Sequence, residues 1–336
     1  MEQIITTGVT YPLEHLPEHI RKEDLNFMID RGNHQSATSK ENEASLLKNY
    51  AKEVERGWML PTTIESVKKI KGAGVIPVGV ATQFTIDEKG NRKVKRRTTH
   101  DASFPPPSEQ SINNRMFREL LTNCFYGYCM IRLLHAIHIM RWTCPNLRIL
   151  ICKLDLDAAY RRLHVFAAMA VLTITIIRKI AYILLRLPFG VANGPNDFCL
   201  VSEPIMDITN DILRDESWDP NEVHSPLQHK FKPPNERYSK DTPFGKARSL
   251  FVPVPFHWAT ADGYIDDIIT LIVEYKDWVI RGQNAAPLAV HTVFRPTDAN
   301  DPLPRADATS IPKLDGDGTP NEVKTVLGWL INTRLF

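Results

Sequence analysis

Apolar residues recur with helical spacing in two stretches and alternate, or run on, in several others. Over 45–57, Leu46, Leu47, Tyr50, Ala51 and Val54 approximate one face of a helix, and 130–142 has apolar residues at 130, 133, 134, 137 and 140. Residues 1–70 read as a mostly helical lead-in. Residues 75–101 alternate as strands do: Gln83–Asp87, a Gly-containing Glu88–Asn91 and then Arg92–Thr99 predict a hairpin. Leu147–Leu156 predicts a strongly apolar strand. Val171–Ile177 and Ile180–Leu185, rich in β-branched residues, predict a second hairpin. Gly194–Leu213 predicts a helix opened by Pro195 and kinked or shortened at Pro204. The apolar segment Gly263–Val273 is interrupted by Asp266-Asp267. Two proline-dense stretches, 214–256 and 287–320, predict extended surface connections in place of packed helices.

Composition narrows the class. At 336 residues and 43% hydrophobic, the chain has the make-up of a globular protein of one large or two ordinary domains. Five cysteines argue against a secreted disulfide scaffold and for a reducing, intracellular setting, cytoplasm or nucleus. The longest apolar run, Val165–Ile177, is too short for a bilayer, which needs roughly 20 apolar residues. Met1–Tyr11 has no basic region of the kind that opens a signal peptide. The net charge of +2 says little, but its distribution says more: nine basic residues stand against two acidic ones between Lys68 and Arg97. Such a cluster is either a solvated hairpin tip or a surface for phosphate groups.

The sharpest chemistry is acidic. Asp155 and Asp157 end the apolar Ile149–Leu156 segment, and Asp266 and Asp267 sit inside Tyr264–Ile269. Carboxylates beside buried strands cost free energy, and neighbouring carboxylates repel one another. A bound divalent cation reverses that sign, and hard oxygen donors suit Mg²⁺ or Mn²⁺ over Zn²⁺. The plain alternative is an Asp-Asp turn and an aspartate at a strand end.

The surrounding residues carry a resemblance. KLDLDAAYRRLHV at 153–165 resembles the first catalytic motif of reverse transcriptases, and LPFGVANGPNDF at 187–198 the motif that follows it in retrotransposon enzymes. YIDD at 264–267 resembles their Tyr-x-Asp-Asp hairpin. KRRTTHDASFPPPSEQSIN at 95–113 resembles a fingers segment, and KTVLGWLIN at 324–332 the primer-grip hairpin. The motifs fall in the family's order over roughly 70–336, in a retrotransposon-like rather than retroviral form.

The resemblance implies an α+β fold, polymerase fingers and palm, with an antiparallel palm sheet flanked by helices. It implies a lead-in at 1–70, a fingers-like region at 71–146, and a palm at 147–336 with a second fingers hairpin at about 166–186 and a primer-grip-like end. No thumb or RNase H domain is visible. By the same resemblance, Asp155 and Asp266 hold two Mg²⁺ ions with Asp267 in support, and the Leu156 carbonyl is an additional oxygen ligand. Asp157 is read as a helix-start residue. Arg97, with Lys95, contacts the incoming triphosphate. Phe189 and Gly190 lie under the nucleotide, and Tyr160 stands at the sugar-gate position, which favours deoxynucleotides. Tyr264 lies near the primer end, and Gly328 and Trp329 hold the primer strand, with a core position as the other reading of Trp329. Asp101 orients its strand. The implied partners are an RNA template, a DNA primer and dNTPs, without a membrane. The implied function is RNA-directed DNA synthesis by a retroelement enzyme, from a chain that reads as truncated. The alternatives are a catalytically silent remnant that binds nucleic acid and a viral RNA-dependent RNA polymerase, against which Tyr160 argues. His15-Leu16-Pro17-Glu18-His19 matches a zinc-protease pattern, but Pro17 opposes the helix that pattern needs. The cysteines lack paired zinc spacing, and Lys71–Gly74 is too short for a phosphate loop.

Overall fold

The structure, a computed structural model, describes residues 2–86, 92–235, 255–302 and 305–336. Helices α1 (Glu2–Thr6), α2 (Glu18–Arg31) and α3 (Lys40–Glu55) open the chain. α3 starts where the Ser39 side chain accepts the Asn42 amide. Glu41 and Glu43 lie in its first turn and Lys52 in its last, each sign matching the helix dipole. It takes in most of the stretch with helical spacing and buries Leu46 and Tyr50.

A strand that the pattern does not predict follows, β1 (Met59–Thr63), and then α4 (Ile64–Lys69), capped by Thr63. β2 (Val78–Ile86) and β3 (Arg92–His100) pair antiparallel from Val78↔His100 to Ile86↔Arg92. The expected Glu88–Asn91 turn lies outside the described residues. Next come α5 (Cys129–Thr143), β4 (Ile149–Asp155), α6 (Ala167–Ala170), β5 (Thr175–Ile177), β6 (Ile180–Leu184) and α7 (Gly194–Arg214). The last elements are β7 (Ala259–Tyr264), β8 (Asp267–Val273), α8 (Trp278–Val293), α9 (Ile311–Asp317), β9 (Val323–Val326) and β10 (Trp329–Asn332). The result is a mixed helix-and-strand fold with small antiparallel sheets.

The chain divides into two units. The first comprises Met1–Thr122, Tyr160–Phe198 and Asn300–Arg305; the second comprises Asn123–Ala159, Cys199–Ala299 and Ala306–Phe336. In the first, β6 lies between β1 and β5 in one sheet, and β2–β3 form another. β1 exists because the β6 edge accepts it, from Met59↔Leu184 to Thr63↔Ile180. The β5–β6 hairpin forms as expected, around Arg178-Lys179. Tyr50, Leu46, Val78, Tyr182 and Leu184 build its core.

In the second unit β8 is central, between β4 and β7. Alternate residues face opposite ways along a strand. Ile149, Ile151, Ile269, Leu271 and Val273 pack with Leu133, Ile137 and Met140 of α5. Leu150, Cys152 and Ile272 pack with Leu213 and Ala285, on the side of α7 and α8. This sheet is therefore buried on both faces, which explains the near-continuous apolar run of β4.

Pro204 does not shorten its helix, and Pro287 does not sit in an extended connection. α7 runs unbroken through Pro204 for 21 residues, burying Val201, Ile205, Thr209 and Leu213. One lost amide donor is outweighed by the apolar side this helix buries. Pro287 likewise lies buried inside α8, not in a surface connection. Among the described residues no helix is long and apolar enough to cross a membrane.

Candidate active site

β4 and β8 bring the first and last of the four acidic residues together. Their antiparallel register runs from Ile149↔Val273 to Asp155↔Asp267, so these two aspartates stand opposite each other at the last pair of the ladder. By strand alternation both point to the sheet face that carries Ile151 and Leu271. β7 and β8 close with Tyr264↔Asp267, which leaves Ile265 and Asp266 as a two-residue turn. The tip is thus Ile265-Asp266, one residue earlier than the Asp-Asp pair suggests, and Asp267 already belongs to the strand. Ile265 has φ 57°, a conformation costly for a β-branched residue. The turn is tied back to β4 by the Leu156 amide, which donates to the Asp266 carbonyl at 3.2 Å.

The electrostatics are unbalanced. Burial, then Asp267 and then Asp155, push the Asp266 carboxyl up to about 6. Asp267 is also raised, by burial first and by Asp155 and Asp317, against the lowering pull of Lys153 and Lys313. Lys313, on α9, places its ammonium 2.5 Å from the Asp155 carboxylate. Lys153 lies 3.5 Å from Asp317. Four carboxylates thus face two ammonium groups. Nearby, burial pushes the Cys129 thiol up to about 12, with Asp262 and Asp267 adding to it.

This donor set fits a hard divalent cation in chemistry: all-oxygen, in carboxylate excess, at facing strand ends. It is not preassembled. Among the described residues no three acidic, histidine or cysteine side chains are gathered tightly enough to hold a metal ion. Occupancy at Asp155 would require Lys313 to let go. Leu156 contributes its amide to the turn, and the bridge to Thr309 runs through the Asp155 carbonyl and the Asp157 amide, so the Leu156 carbonyl takes no part in that pairing. Asp157 precedes a short 3₁₀ turn, Ala159–Arg162.

Other expected residues of this unit fall at strand ends. Tyr264 packs edge-on against Tyr126, with ring centroids 5.0 Å apart. β9 and β10 close through Leu327 (φ 49°) and Gly328 (φ 84°), beside Trp329. Trp329 is 71% exposed, which removes the reading that it is a core residue.

In the first unit, Lys95 and Arg97 share one exposed side of β3. Tyr160 is 8% exposed, stacked on Phe189 at 4.7 Å and tilted against Phe198 at 5.4 Å. Phe189 itself is half exposed. Gly190 is required where it stands: it has φ 105°, and a Cβ there would come 2.0 Å from the His100 carbonyl. Asn113, the asparagine of the fingers-like segment, fastens this loop. Its Nδ2 donates to the Gly190 carbonyl and its Oδ1 accepts the Ala192 amide, both at 2.8 Å. Asp101, the residue after β3, lies 3.0 Å from His34 Nε2 and accepts the Ser103 amide. The His15–His19 pattern is split by the start of α2, with Pro17 as its N-cap.

Sequence reasoning missed Lys313 and the buried ion group around Glu322. Lys313 lies 158 residues from Asp155, in a stretch read as a surface connection. Glu322 takes Arg148 at 3.1 Å and Arg334 at 3.3 Å. No local pattern announces either contact.

No protein-family model matches the chain, and no curated protein matches it. Among solved structures, a foamy viral protease-reverse transcriptase in complex with double-stranded DNA superposes over 98% of this chain at 11% identity, with a TM-score of 0.48. The same foamy viral protein in complex with an RNA/DNA hybrid gives 98%, 12% and 0.47. This chain spans 38% and 29% of those two chains. Likeness of this extent carries no argument, and the functional reading rests on the residues.

Proposed function

We propose that the chain is the fingers and palm of a retrotransposon-type reverse transcriptase, adding dNTPs to a primer 3′-OH under an RNA template. The observation that carries the proposal is the Asp155↔Asp267 register with Asp266 at the adjoining turn, which unites carboxylates from motifs more than 100 residues apart. In this reading residues 71–146 and the hairpin near 166–186 form the fingers, and 147–336 the palm.

Asp155, Asp266 and Asp267 would hold two Mg²⁺ ions, with Mn²⁺ as a substitute and the Leu156 carbonyl as a further ligand. When bound, the ions supply activation of the attacking hydroxyl and charge stabilisation at the leaving pyrophosphate. Everything else falls to the chain. Arg97 and Lys95 receive the triphosphate, the guanidinium fork matching phosphate oxygens. Phe189 and the loop that Gly190 lets pack closely on His100 support the nucleotide, and the Tyr160 ring crowds a 2′-OH. Tyr264 lies by the primer end, and Gly328 and Trp329 hold the primer strand. Template pairing selects the base, so the protein's share is positioning and electrostatics.

A second reading has its own observation: the Lys313 ammonium already neutralises Asp155, as a silent nucleic-acid-binding remnant would allow. Primer extension on an RNA template with Mg²⁺ separates the two. The proposal expects the native chain to extend the primer and Asp266→Ala to lose at least about 10³-fold in rate, in line with removal of a group acting only at the reacting centre. Equal incorporation by both chains removes Asp266 from the chemistry. Duplex binding without any extension favours the remnant.

A further inference from the structure

The first unit holds a second charged site, lined by no residue named in the proposed reaction. A cavity of about 70 Å³ opens among α2, the Gly72–Gly74 turn and the loop ending at Arg115. Its walls are mostly apolar, Leu25 and Ile76 among them, yet Arg21, Asp24 and Arg115 also line it.

Neither arginine is fully used. Arg115 is 7% exposed; it reaches the Glu14 carbonyl through Nη1 at 3.3 Å, while its Nε is buried without a partner. Arg21 donates from Nε to the Leu16 carbonyl at 2.7 Å. Its outer nitrogens reach the turn: a Cβ on Gly72 would stand 3.0 Å from Arg21 Nη1, so glycine at 72, with φ 77°, leaves room for the guanidinium. The one carboxylate in the cavity is already committed. Asp24 accepts the Ser108 amide on one oxygen at 3.1 Å and the Ser108 hydroxyl on the other at 2.6 Å.

Two cations against one hydrogen-bonded carboxylate leave a positive excess between apolar walls. Burying an uncompensated charge is costly. Burial and the neighbouring Arg21 both weigh against the charged form of Arg115, with Asp24 and Glu14 offsetting them in part. A bridging oxyanion removes the imbalance, because guanidinium forks bind such groups by paired, charge-assisted hydrogen bonds. The volume is several times the roughly 10–15 Å³ that one water requires, enough for a four-oxygen anion.

We propose that this cavity is a binding site for a phosphate group, held between Arg21 and Arg115. The group is either free phosphate or the phosphoryl end of a small molecule whose remainder stays outside.

Calorimetric titration of the full chain with inorganic phosphate, in chloride of constant ionic strength, tests it. The expected result is saturable single-site binding, about tenfold weaker in Arg21→Gln, partly restored in Arg21→Lys, and absent in Arg115→Gln. If the variant of the buried Arg115 fails to fold, Arg21, only half-buried, decides alone. Exchanging the exposed Lys69 and Lys71 for Gln leaves binding unchanged. Glycerol 3-phosphate binding as tightly as phosphate identifies a phosphoryl end, and its exclusion identifies the free anion; either supports the site. The proposal is overturned if the native chain shows no saturable phosphate binding, if Arg21→Gln binds as well as the native chain, or if the lysine exchange abolishes binding.

Discussion

The β7–β8 and β9–β10 hairpins close with loops of the same length and are held in opposite ways. β8 is buried along almost its whole length, and its hairpin ends in carboxylates that repel one another. β9–β10 leaves Trp329 and Leu330 more than 70% exposed and is anchored by charge. Glu322, with its side chain fully buried, joins Arg148 to Arg334, and the Lys324 ammonium donates to the carbonyls of Gly316, Asp317 and Thr319. Packing can thus carry an electrostatic conflict to a strand end, whereas a hairpin that buries Val326 and Ile331 but leaves its other face exposed adds satisfied ion pairs to that packing. The first arrangement suits a site that awaits a cation; the second suits a surface that meets another molecule.

The largest effect should come from cutting the charged anchor. Glu322→Ala takes a shared buried carboxylate from two arginines that are 5–6% exposed on their side chains, leaving Arg148 its contact with Glu274. Breaking a buried pair by removing one partner typically costs about 3–5 kcal/mol. Urea denaturation should show a loss of that order, with the exposed-tryptophan signal of Trp329 moving at the lowest denaturant. A loss below about 1 kcal/mol would mean that β9–β10 is held by packing after all, and the contrast would fail.

The acidic hairpin should respond in the opposite direction. The Asp266 carboxyl is raised from 3.8 to about 6. An acid with a raised native pKa stabilises the fold fully below its unfolded value, and that contribution is lost as pH rises through the native value. Stability of the metal-free chain should therefore fall between about pH 4 and 6. Asp197, raised to about 6 by its own burial, adds a parallel slope. Asp266→Asn should cancel only the Asp266 share, gaining on the order of 1–2 kcal/mol at pH 7 once partial exposure is allowed for. Mg²⁺ should shrink that gain by stabilising the native chain and not the variant. An equal pH slope in both proteins would show that the conflict at this turn is already relieved.

How much of this could be read from the residues alone follows the range of each signal. Local periodicity sufficed for α5, β4 and the β5–β6 hairpin, because each hides one side or both of a short segment. The Tyr264–Asp267 motif located the acidic hairpin to within one residue. Partners set from afar were not legible: β1 became a strand only because the β6 edge received it, and Lys313 reached Asp155 across 158 residues. Proline misled twice in the same direction. Its local penalty was read correctly, but the burial that overrides it in α7 and α8 belongs to the packed protein. Gly190 was singled out with Phe189 as lying under the nucleotide, but its close approach to the His100 carbonyl was not legible.

The smallest effect sharpens the comparison at the level of backbone. Both turns hold a bulky residue at positive φ, Ile265 at 57° and Leu327 at 49°. Asparagine tolerates that region better than either, since its side chain bonds locally to the backbone. The β-branched Ile265 should carry the greater strain, of order 1–3 kcal/mol for such a residue. Leu327, followed by Gly328 at φ 84°, sits in the two-residue turn type whose twist suits a hairpin. Ile265→Asn should therefore raise the melting temperature by a few degrees, and Leu327→Asn by less. If the order is reversed, the backbone at the acidic turn is relaxed, and the tension there is confined to its charges.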